Sequence, residues 1–253
     1  MNVINSHMEE YLDSVKIIQQ ELRKTNKTKA HPINFANILQ KSLIMSDDWS
    51  SFNEKLGKSN LARRSHNYYG WMSYNDQPLG KCKGAIYRSE EYMKIPLQDR
   101  SGESLKKLKE RGEGYSSNHI HIEHSIPVSL ILRYFLNYKN IYLDNHDHLI
   151  NRTLHEAFLS ISVCTAMTRY EEEEVIKYKD QHPELDKKEL KVGSLPEIHP
   201  FIRYDFSKGL KIYEMITGSE INPEIFTLKD HINLINKVDI YDWNCISSRY
   251  PLK

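Results

Sequence analysis

The sequence predicts an α+β fold, with a helical N-terminal layer, a core ordered strand, loop, strand, helix, and a C-terminal helical extension. Three observations predict it. Apolar residues recur at three- and four-residue spacing early in the chain, as one helix face requires. "HIHIEH" at 119–124 alternates with period two, and "SISVCTAM" further on has the β-branched content of a second strand. Thr168 followed by Glu171 then has capping-box spacing, which starts a helix directly after that strand. The first 60 residues form the helical layer and 61–253 carry the strands; with no linker between them, one composite domain is the simpler organisation.

Ser6 and Glu9 have capping-box spacing, and Met8, Tyr11, Leu12, Val15, Ile18 and Leu22 give an apolar stripe, so a helix is expected to about Arg23. "TNKTKAHP" breaks it, "INFANILQKSLIM" offers a second helix ending near Ser46, and "SDDW" caps a third. From Gly70 the texture turns to aromatics, glycines and prolines, with one short strand expected around "GAIYR". A basic helix at 104–111 ends at "GEG". In the strand that follows, His119, His121 and Glu123 fall on one face, and Ile120, Ile122 and His124 on the other. Pro127 and Ser129 close it. An inter-strand segment contains the apolar "LILRYFL" and the turn-like "LDNHDHLIN". Past the second strand, "TRYEEEEVIKYK" opens with acids, as the helix dipole favours. "LPEIHPFIRYDFSKGLKIYEMI" is irregular with a turn at Gly209, and "TLKDHINLINKV" is a last helix.

Composition narrows the function classes. The 39% hydrophobic and 27% charged fractions describe a soluble globular chain, and no apolar run approaches the about 18 residues of a membrane helix. No secretory signal is visible at the N-terminus, so the default compartment is the cytoplasm. Cys82, Cys164 and Cys245 are too dispersed for a disulfide framework or a CxxC zinc site, so a metal would be held by His and carboxylates. The 35 Lys and Arg balance 34 Asp and Glu, so any nucleic-acid contact runs through local patches. Lys106, Lys107 and Lys109 form one candidate patch, and Arg63 and Arg64, interleaved with tyrosines and a tryptophan, form another. Arg203 is a candidate phosphate clamp, because a guanidinium fork suits that oxyanion.

The segment "EHSIPVS" resembles the [Asp, Glu or His]-His-x-x-Pro-[Leu or Val]-Ser signature of the ββα-metal, or His-Me finger, of HNH-type endonucleases, and "SVCTAMTRYEE" resembles the finger's second strand and helix start. The resemblance covers roughly residues 116 to 180. It implies a metal-dependent endonuclease hydrolysing DNA phosphodiesters, of restriction or mobile-element type, dimeric where both strands of a duplex are cut. It implies His124 as the general base and Glu123 as a metal ligand, with a second ligand at Glu171 or Glu172 and an Asn, matched by Asn145 or Asn151, bracing the base. His119 and His121 would support the site from Glu123's strand face. The implied cofactor is a divalent cation, Mg²⁺ first, then Mn²⁺ or Zn²⁺. The chain departs from the family in lacking a glycine-rich loop after the proline, in its longer inter-strand connection, and in offering Glu where the helix usually has His or Asn.

Two other readings fit the same residues. "HIHIEH" also resembles the HxHxDH motif of metallo-β-lactamase-fold hydrolases, with Glu in place of Asp and without the glycines that follow it there. A non-catalytic module that holds zinc and binds nucleic acid or protein is the other. Metal-dependent cleavage separates the nuclease from that module.

Overall fold

The computed structural model describes residues 3–23, 39–57, 82–142, 160–183 and 195–238, and the fold over them is mixed α and β around one four-stranded sheet. Arg63, Arg64, Asn145 and Asn151, and the segments "TNKTKAHP" and "LDNHDHLIN", lie outside the described residues.

The chain opens with α1 (Val3–Arg23). It starts ahead of the expected cap: Ser6 sits inside the helix, its hydroxyl donating back to the Val3 carbonyl, because Ile4 is already packed against the core. Its inner face is His7, Tyr11, Ser14 and Val15, whereas Leu12, read as part of the stripe, is exposed. That rotation brings Glu10 to two arginines. Its carboxylate accepts from Arg88 Nη1 and Arg100 Nη1, each at 2.7 Å, and both arginines are buried. Residues 39–44 are helical, and α2 (Trp49–Gly57) follows, with Asp48 accepting from the Ser51 amide at its start. Leu39, Leu43 and Phe52 share one hydrophobic core with the sheet, so the N-terminal layer is part of that core.

The four strands are β1 (Tyr87–Ser89), β2 (Ile120–His124), β3 (Cys164–Thr168) and β4 (Ile212–Glu214), arranged β2-β3-β1-β4. β1 runs parallel to β3 and antiparallel to β4, and β2 runs antiparallel to β3. β3 is buried along its whole length, as an inner strand must be, and its Thr, Ala and Met side chains fit a position covered on both faces. Sequence reasoning found β1 to β3 and missed β4, whose three residues sit in an aromatic segment between Gly209 and a turn.

The helices that follow the numbering are α3 (Glu90–Met93), α4 (Leu105–Glu110), α5 (Val128–Asn137), α6 (Lys139–Tyr142), α7 (Arg169–Gln181) and α8 (Leu228–Ile235). The apolar "LILRYFL" lies in α5, which starts straight after Pro127, a residue whose fixed φ and missing N–H suit the entry to a helix. α5 buries Ile131, Leu132, Tyr134 and Phe135, each contributing about 1.5–3 kcal/mol by the apolar-area rule. α7 starts with the expected capping box between Thr168 and Glu171. α8 has another between Thr227 and Asp230.

Candidate metal centre

The site is built where β2 meets the first turn of α7. Alternation along β2 puts Ile120 and Ile122 into the core and leaves His121 and Glu123 half-buried on the opposite face. β3 pairs antiparallel with β2 in a register that sets Thr168 opposite Ile120. Since Thr168 is the N-cap of α7, the helix leaves the sheet beside the start of β2, and its first turn is carried next to His121.

Successive helix residues point in different directions, and this separates the two glutamates that sequence left equivalent. Glu171 turns back to the cap. Its Oε2 accepts from the Thr168 amide at 2.8 Å, the Thr168 hydroxyl at 2.9 Å and the Ser89 hydroxyl at 2.6 Å. Burial nevertheless holds its pKa above the ordinary carboxylate value, against the pull of those hydrogen bonds. Glu172 turns towards β2, where its Oε1 lies 2.9 Å from His121 Nε2 and its Oε2 accepts from Arg169 Nη1 at 2.5 Å. Burial pushes the Glu172 carboxyl up, but the His121 hydrogen bond and the Arg169 charge outweigh it, and the net shift is downward.

Each of His121, Glu123 and Glu172 offers one donor atom, and these three atoms lie within 4.8 Å of one another. One imidazole nitrogen and two carboxylate oxygens, converging from β2 and α7, could hold a divalent cation, whose usual ligands they are. Two guanidinium groups border the group: Arg169 on Glu172, and Arg203 Nη1 at 3.5 Å from Glu123 Oε1. Burial raises the Glu123 pKa, with Arg203 and His121 opposing that shift.

The remaining sequence candidates are not among the three donors. His119 is buried in the turn before β2; its Nδ1 accepts from the Ser116 amide at 2.9 Å, and its ring packs against Tyr115. His124 is the last residue of β2, outside the three-residue group, and its carbonyl accepts from Arg203 Nη1 at 2.8 Å. Arg203 is therefore buried and engaged at the strand end. Lys106, Lys107 and Lys109 lie on the exposed side of α4, whose inward residue is Leu108.

Several contributors went unread in the sequence. Arg169, three positions before Glu172 on one helix, could have been found from that spacing. Tyr204 and Ser125 gave no such signal: their hydroxyls meet at 2.8 Å, and Ser125 also lies 3.2 Å from the Thr165 hydroxyl. Together with the Arg203 bond, this network fastens the turn at 200–204 to the end of β2. In comparisons with known proteins, the chain matches no family model, and no curated protein or solved structure at a significant level.

Proposed function

We propose that the protein is a metal-dependent endonuclease of the HNH type, hydrolysing phosphodiester bonds in DNA. The observation that carries this is the convergence of His121 and Glu123, from the first strand of a strand, strand, helix unit, with Glu172 from its helix, immediately before His124. His121, Glu123 and Glu172 would hold the cation. Once bound, a divalent cation supplies charge neutralisation at the phosphate and the leaving oxygen.

The chain's own residues supply the rest. His124 takes a proton from water as its oxygen bonds to phosphorus; the P–O bond to the leaving nucleotide breaks, and the leaving oxygen takes a proton from solvent. An imidazole suits that task because its ordinary pKa lies near neutrality. Arg203 and the Tyr204–Ser125–Thr165 hydroxyls position His124 by fixing the main chain at the strand end. The exposed lysines of α4 supply local positive charge for a phosphate backbone on a chain whose formal net charge is only +1. The HxHxDH-type hydrolase has less support, since it requires His119 beside His121 on one ion, and His119 is held by Ser116 instead.

Cleavage of supercoiled plasmid by wild type and His124→Ala, in Mg²⁺, Mn²⁺, Zn²⁺ and chelator, tests the proposal. Cutting by wild type alone, lost in chelator, is expected. A fully active His124→Ala protein ends the assignment of the base, and metal binding with no hydrolysis of any DNA or RNA substrate favours the zinc-holding module.

A further inference from the structure

We propose that the His121–Glu123–Glu172 centre selects a first-row transition ion of the Mn²⁺ class over Mg²⁺; resting on the metal centre proposed above, this adds the identity of the ion. Two features of the site carry it.

The first is the donor set. Mg²⁺ takes oxygen ligands, demands near-ideal octahedral geometry and gives up its water reluctantly. Here one of the three protein donors is the Nε2 or Nδ1 nitrogen of His121, held on the same strand face as Glu123. Imidazole nitrogen suits borderline ions, carboxylate suits hard ones, and Mn²⁺ accepts both. An all-oxygen pair at Glu123 and Glu172 would serve Mg²⁺ equally well; the imidazole separates the two ions.

The second is the charge around the donors. Arg169 Nη1 stands 2.5 Å from Glu172, and Arg203 Nη1 stands 3.5 Å from Glu123. Two carboxylates facing two guanidinium groups present a nearly compensated field to an incoming cation. Mg²⁺ binds chiefly through charge and so loses most of its attraction here. A transition ion loses the same Coulomb energy but keeps the bond to the imidazole lone pair, which the arginines do not compensate.

The test titrates Mn²⁺ and Mg²⁺ separately into the full chain by calorimetry, and reads bound Mn²⁺ by pulsed EPR for coupling to a nitrogen nucleus. Wild type is expected to take up one Mn²⁺ at least about tenfold more tightly than Mg²⁺, with nitrogen coupling present. His121→Asn, which keeps an oxygen donor, should lose the coupling and bring the two affinities within about threefold of one another. Glu123→Gln should weaken both ions. Equal or tighter Mg²⁺ binding by wild type, or coupling that survives in His121→Asn, overturns the preference while a Glu123-dependent site stands. Failure of wild type to bind either ion, or binding unaltered in Glu123→Gln, overturns the centre itself and the preference with it. Circular dichroism of each variant shows that it is folded before affinities are compared.

Discussion

Replacing Glu10 with Gln should destabilise the whole domain, although Glu10 lies far from the candidate metal centre in sequence and belongs to the first helix. The Glu10 carboxylate is the negative partner of two buried guanidinium groups, Arg88 at 0% and Arg100 at 4% exposure, with both N–O distances at 2.7 Å. The neighbouring His7 adds no compensating charge: its Nδ1 faces Arg88 Nη1 at 2.5 Å and its Nε2 faces the Met93 carbonyl at 3.0 Å, the pattern of a neutral ring that accepts at one nitrogen and donates at the other. Arg88 is further held by the Lys83 and Ala85 carbonyls, and Arg100 by Ile95, so neither can swing into water. Glutamine keeps the shape but removes the charge, and its amide N–H atoms face donors. Two charge-assisted hydrogen bonds contribute about 1.5–3 kcal/mol each, and breaking a buried ion pair from one side costs about 3–5 kcal/mol. A loss of about 3–5 kcal/mol is therefore expected, which lowers the melting temperature by roughly 6–20 °C for a chain of this size. Urea unfolding followed by far-ultraviolet circular dichroism and tryptophan fluorescence measures it. Asp13→Asn, which breaks the exposed Lys16–Asp13 pair on the same helix, is the control and should barely move the midpoint. A Glu10→Gln loss under about 1 kcal/mol would refute the claim that this carboxylate compensates both arginines.

Stability should also fall in mild acid, and His7 sets the window. Burial, with Arg88 and Arg100 adding to it, lowers its pKa from 6.5 to about 4, so the unfolded chain binds a proton that the folded chain resists. That contribution, about 3 kcal/mol, is complete above pH 6.5 and is lost as the pH falls towards 4; a His7→Asn variant should show a flatter stability profile across that interval. Glu171→Ala should lose about 0.5–2 kcal/mol of stability through its cap while leaving metal affinity intact, whereas Glu172→Gln should weaken metal binding; calorimetry that gives the same metal loss for both would sink the division between them. Replacing Lys106, Lys107 and Lys109 with Gln should weaken DNA binding similarly across sequences and flatten its salt dependence, by a log–log slope change of about 0.9 per phosphate contact removed. An unchanged slope would show that these lysines are only a solvated helix face.

The parts of the fold that could be read in the sequence are those set by local periodicity. β2 announced itself because its alternation separates two core isoleucines from His121 and Glu123, and α7 because Thr168 and Glu171 satisfy one another across a single turn. Glu171 and Glu172 could not be told apart, since identical adjacent residues carry no record of how a helix is rotated against a strand distant in sequence. β4 is three residues long, too short for a period to show. The Glu10, Arg88 and Arg100 cluster was invisible for another reason: a buried ion pair between remote segments leaves no local pattern. Ser6 misled because Ile4 packing extends the helix past a spacing that resembles a cap.

β1 leaves the ribosome before either of its neighbours exists. Tyr87 pairs with Thr165 on one side and with Glu214 on the other, so this inner strand gains its first neighbour only once β3 is made and its second only once β4 is made. His121, Glu123 and Glu172 are all synthesised earlier than the turn at 200–204, which ties down the end of β2, and earlier than β4, which closes the far side of the sheet. A nascent chain therefore carries all three candidate donors before it carries the segment that fastens the end of β2, and loop-closure entropy opposes these distant pairings until late. Protease protection of stalled nascent chains should register one late step, after β4 has cleared the exit tunnel and can pair with β1.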